Sequence, residues 1–142
     1  MSQVFLVHFI EVLRKRYQRE LFYPGLLSLF VNPFYFARAE LVNAVRKYAP
    51  QLQGTLLDIG CGTRPYEKLF IVDEYIGLDI DNESAHMRGG ADYYYDGSKF
   101  PFPDASFDSA LCNQVLEHVF NPDEFLSEIH RVLRQNSRLL LT

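Results

Sequence analysis

Cysteine is scarce. Two cysteines in 142 residues are too few for a disulfide scaffold. Long apolar runs are missing too. No stretch approaches the roughly 20 apolar residues of a membrane span, because His8, Glu11, Ser28 and Asn32-Pro33 interrupt the longest pieces. No basic residue precedes the first apolar stretch and no small-residue cleavage site follows it, so no secretory leader is expected. These absences point to a reduced, cytoplasmic protein. His86, His118 and His130 show no ligand spacing with Cys61 and Cys112, so no metal site is expected either.

What is present describes a globular chain. Hydrophobic residues make up 48%, aromatics 15% and charged residues 23%, which excludes a disordered or collagen-like polymer. The length suits one domain. Charge is distributed unevenly. Residues 1–50 hold seven Lys/Arg against three Glu, whereas residues 51–142 hold seven Lys/Arg against fifteen Asp/Glu. An acidic main domain argues against nucleic acid as a partner, because phosphate binding needs clustered cations.

The first part, residues 1–50, reads as a helical extension. A helix is expected over 3–22, apolar from Val4 to Ile10 and basic from Arg14 to Arg19, ending at Pro24-Gly25. Residues 26–34 are apolar and aromatic, and a second helix is expected from Tyr35 to Tyr48, closed by Ala49-Pro50. Such an extension is compatible with three roles. It forms a lid whose Phe30, Phe34, Tyr35 and Phe36 wall a substrate pocket, docks a partner, or lies on a membrane surface through residues 1–30.

From residue 51 the texture alternates between strand and helix. Strands are expected at Thr55–Ile59, Tyr75–Leu78, Tyr93–Tyr95, Phe107–Cys112 and Arg138–Thr142. Helices are expected at Pro65–Phe70, around Glu117-His118, and after Asn121-Pro122-Asp123-Glu124, where a capping side chain, a proline and two acids mark a helix start. This alternation predicts an α/β fold, a doubly wound parallel sheet with helices on its faces.

Leu56-Leu57-Asp58-Ile59-Gly60-Cys61-Gly62-Thr63 is a strand running into a glycine turn. Glycines there let a ligand approach the backbone, and following amides point toward it. Asp79 ends the next strand 19 residues after Gly60, where a carboxylate can accept both hydroxyls of a ribose. The pair predicts a nucleoside ligand. Pro65 takes the third glycine of the dinucleotide fingerprint, and Asp58 puts a carboxylate just before the turn. Both disfavour a pyrophosphate and lean toward a ligand with an ammonium and a sulfonium, S-adenosylmethionine rather than NAD.

At this point the chain resembles a known family. LLDIGCGTRPY, YIGLDID, YDGSKFPFPDASFDSALCNQVLEHV and EIHRVLRQNSRLLLT look like the successive motifs of class I S-adenosylmethionine-dependent methyltransferases, the type 11 domain group. The resemblance implies a Rossmann-like sheet of seven strands in the order 3-2-1-4-5-7-6, here ending inside the fifth. It implies that Asp58, Gly60, Cys61 and Gly62 hold the methionine end of the cofactor and Asp79 the ribose. By the same likeness, Asp96 with Gly97 contacts the adenine, and Asn113 lines the methionine and substrate side. Cys61 and Cys112 become small buried residues beside the cofactor. Arg64 and Gln135-Asn136-Ser137 depart from the family pattern, which carries a glycine and a Pro-Gly-Gly turn there.

The implied activity is methyl transfer to a small-molecule or lipid-like acceptor, aligned in line with an activated methyl and needing no obligatory catalytic side chain. His118 and Glu117 are the candidates for a general base, against a scaffold role at a helix end. The rival readings are a non-catalytic S-adenosylmethionine-binding module, an inactive fragment of a methyltransferase, and an NAD-dependent oxidoreductase.

Overall fold

The computed structural model describes residues 7–10, 12, 23 and 35–142. The chain divides into two compact units, Met1–Ala44 and Val45–Thr142. In the first, residues 7–10 and 12 are helical, and Val7, Phe9, Ile10 and Val12 are exposed. The rest of the expected 3–22 helix, with Phe30, Phe34 and the side chain of Tyr35, lies outside the described residues. Helix α1 runs Tyr35–Tyr48 and buries Val42 and Val45. A 3-10 turn at Ala49–Gln51 follows, since Pro50 has no amide to continue the ladder.

The second unit is built on five parallel strands. They are β1 (Thr55–Ile59), β2 (Glu74–Ile80), β3 (Tyr93–Tyr95), β4 (Phe107–Cys112) and β5 (Leu133–Leu141). Their order is β3-β2-β1-β4-β5, the predicted doubly wound α/β fold. Strands β1 and β4 lie inside the sheet and are buried over nearly their whole length.

One face of the sheet packs on helix α3 (Pro122–Val132), which Asn121 caps by accepting from the Glu124 amide. Leu57, Ile59, Leu78, Ala110 and Cys112 meet Phe125, Ile129 and Val132 there. Phe100 and Phe107 join the same core, and Phe102 packs against it. Phe100 stands edge-on to both Tyr95 and Phe125, at 4.9 and 5.8 Å between ring centroids. Arg131 ties this loop to α3 by donating to the carbonyls of Phe100 and Phe102 and pairing with Asp104 and Glu128.

Four local expectations change. Pro65–Phe70 forms only a 3-10 turn at Glu67–Leu69, because buried Phe70 already leads the chain back into extended backbone. Strand β2 is longer than Tyr75–Leu78 at both ends. A helix absent from the sequence reading, α2 (Glu83–Arg88), follows it; Asn82 caps its start and Gly89, at φ 65°, its end. Strand β5 begins at Leu133, not Arg138. Its register jumps from Phe107↔Leu133 to Ser109↔Arg138, so residues 134–137 bulge out of the ladder. Asn136 takes φ 65° in the bulge, the left-handed conformation that asparagine tolerates best after glycine.

Candidate functional site

Open parallel sheets bind ligands beyond the carboxyl ends of their strands, where the chain reverses direction from one side of the sheet to the other. Here that place lies between β1, with β2 and β3 to one side, and β4, with β5 to the other. Strand β1 turns at Gly60 (φ 70°) and Gly62 (φ 57°), conformations that disfavour any residue with a Cβ. The turn is held by Gly60 and Cys61, whose amides both donate to the Leu78 carbonyl, at 2.8 and 3.1 Å. A Cβ on Gly60 would strike Val115, whereas above Gly62 nothing lies within 4 Å.

Strand β2 delivers Asp79, only 6% exposed. One carboxylate oxygen accepts from the Ile80 amide at 2.9 Å, the other from Arg88 at 3.0 Å. A carboxylate has about four acceptor positions, so two remain for a ligand. Strand β3 leads to Asp96, which accepts from the Ser98 amide and hydroxyl; these bonds hold its carboxyl below the usual range. After β4 come Asn113, which accepts from the Thr142 hydroxyl, and a 3-10 turn at Leu116–His118.

These strand ends enclose a cleft of about 670 Å³, within the range of small-molecule sites. Of the sequence candidates, Gly60, Gly62, Asp79, Gly97 and His118 line it. Val115, Val119, Phe120 and Phe125 form its apolar wall. Phe120 is fully exposed at the rim.

The other candidates stand outside this lining. Asp58 is 4% exposed and accepts from the Tyr75 hydroxyl at 2.6 Å. Burial pushes its carboxyl up to about 7, against the lowering effect of Tyr75 and Arg64. Cys61 is buried with its sulfur toward Gly77, and Cys112 is buried in the core; burial raises both thiols to about 12. Asp96, Asn113 and Glu117 flank lining residues without lining the cleft themselves. Tyr94 of β3 stacks on His86 at 4.0 Å between ring centroids.

Sequence reasoning missed Arg88, Ser98 and Gln114, which all line the cleft. Arg88 had a readable signal: the caps Asn82 and Gly89 define α2 and put Arg88 in its last turn. Gln114 had none, since its φ of 57° is a property of the folded loop.

The glycine turn and the Asp79 carboxylate fit an adenosine-bearing ligand. A Cβ at Gly60 or a left-handed penalty at Gly62 would spoil the cradle, and the carboxylate retains acceptors for a diol. Among the described residues, no helix is long and apolar enough to cross a membrane.

Known proteins resemble this chain. The methyltransferase domain family matches residues 57–141. An uncharacterized protein of Methanocaldococcus jannaschii is 34% identical over 103 residues, 70% of this chain and 48% of that protein. A probable S-adenosylmethionine-dependent methyltransferase of Mycolicibacterium smegmatis is 34% identical over 128 residues, 84% of this chain and 48% of its own length. The chain thus spans about half the length of these curated relatives. The crystal structure of the YcgJ protein of Bacillus subtilis superposes with a TM-score of 0.56 at 27% identity, covering 72% of this chain and 49% of that one. The family match over residues 57–141, with the 34% identical relative that covers 84% of this chain, places the chain in the class I S-adenosylmethionine-dependent methyltransferase family.

Proposed function

We propose that this protein binds S-adenosylmethionine in the cleft and transfers its methyl group to a small-molecule or lipid-like acceptor. The observation that carries this reading is the convergence of Gly60, Gly62, Asp79 and Gly97 on one cleft at the carboxyl ends of β1 to β3. When bound, the cofactor supplies an activated methyl on a sulfonium. The chain's own residues bind and orient. The open backbone at Gly62 receives the methionine end, and Asp79 takes the ribose hydroxyls. The adenine goes to the side of Gly97 and Tyr95. Val115 and Val119 give the cleft an apolar wall, and Phe120 at its rim offers an apolar surface to an acceptor. His118 is the lining residue suited to take a proton from an acceptor hydroxyl or amine.

Isothermal titration with S-adenosylmethionine, S-adenosylhomocysteine and NAD tests the binding step. Tight NAD binding with no response to the other two sinks the proposal. Release of S-adenosylhomocysteine with labelled methyl transfer across an acceptor panel tests turnover. The second reading is a binding module without turnover. Binding without transfer to any acceptor selects it.

A further inference from the structure

Arg64 follows the glycine turn with φ 52°, a left-handed backbone that residues with a Cβ rarely adopt. Its guanidinium explains how the conformation is held. Nε donates to the Gly90 carbonyl, and a terminal nitrogen donates to the Asp92 carboxylate. Asp92 also accepts from the Gly77 amide of β2 at 2.8 Å. Two glycines make room for this contact. A Cβ on Gly77 would come within 2.8 Å of two guanidinium nitrogens, and one on Gly90 would overlap the Gly62 carbonyl. One side chain therefore draws together the glycine turn, β2 and residues 89–92. Those residues leave α2 directly after Arg88, whose own guanidinium reaches Asp79 inside the cleft.

We propose that Arg64 is a positioning residue for the ligand site: it clamps residues 89–92 against the glycine turn and so sets Arg88 on the Asp79 carboxylate. The clamp is a property of the fold; its effect on affinity rests on the cleft's being the S-adenosylmethionine site.

The full chain is titrated with S-adenosylhomocysteine, and exchange of the Gly77 amide is followed by NMR. Arg64→Gly removes the clamp and leaves a residue at ease with positive φ, so folding is retained. About tenfold weaker binding is expected, near the value of one hydrogen bond to a charged group, together with faster Gly77 exchange. Asp92→Ala, which removes the carboxylate that Arg64 and the Gly77 amide share, should do the same. Both changes break one contact, so the double variant should bind about as weakly as the worse single variant. Unchanged affinity or unchanged Gly77 exchange in Arg64→Gly overturns the proposal, as do losses that multiply in the double variant. A parent chain that binds no S-adenosylhomocysteine overturns the reading of the cleft instead, and Gly77 exchange alone then decides the clamp.

Discussion

The two faces of the sheet are built from the same strands and differ in chemistry. Along β1, Leu57 and Ile59 point to α3, into a core of aliphatic and aromatic side chains. Leu56 and Asp58 point the other way, and there Asp58 is buried beside Tyr75, with Arg64 and Asp92 close by at Gly77. The first face is non-directional and tolerant of repacking. The second is directional: each polar group needs its partner, and losing one leaves a buried orphan. The first face buries apolar groups alone, whereas the second buries Asp58 and its partner Tyr75 beside Leu56, below the turn at which the cleft opens.

Substitutions on each face test this contrast. The largest effect belongs to the apolar face. Phe100→Ala, at a ring 1% exposed between Tyr95 and Phe125, should lower unfolding free energy by about 3–5 kcal/mol in urea titrations. A loss below about 1 kcal/mol would mean that this face does not carry the stability.

Asp79→Ala comes next. It should weaken S-adenosylhomocysteine binding by about 1.5–3 kcal/mol in calorimetry. An unchanged dissociation constant removes Asp79 from the site. Tyr75→Phe takes a donor from buried Asp58, and a stability loss of about 1–2 kcal/mol is expected at neutral pH. A neutral outcome would show that the pair contributes no directionality.

The last effect is a slope. Asp58 holds its proton up to about 7 in the folded chain, against 3.8 ordinarily, because burial disfavours its charge. The folded state then binds more protons than the unfolded one, so this group removes stability as pH rises from about 4 to about 7, and no further above. Asp58→Asn should lack that decline. Its urea midpoint should gain on the parent's across the same window, and parallel curves would refute the buried carboxyl.

Much of this was legible in the chain alone. Strands β1, β3 and β4 and helix α1 match their expected bounds, because apolar runs and prolines mark them without help from distant residues. The glycine turn was legible for a local reason too, since a positive φ favours glycine over residues with a Cβ. The β5 bulge was not. Nothing in residues 134–137 says that they face a single residue of β4. Nor could spacing reveal that Arg64 reaches Gly90 and Asp92 across 26 and 28 positions.

Local chemistry thus determined which segments are strands, where the chain turns on glycine, and which acid lies near the tip of the second strand. Tertiary structure decided which of those groups face the cleft. It turned Asp58 and Cys61 into the interior and brought Arg88 and Gln114 to the opening. The reason is physical: propensity and turn geometry act between neighbours, whereas a side chain's surroundings depend on strands paired across the whole sheet.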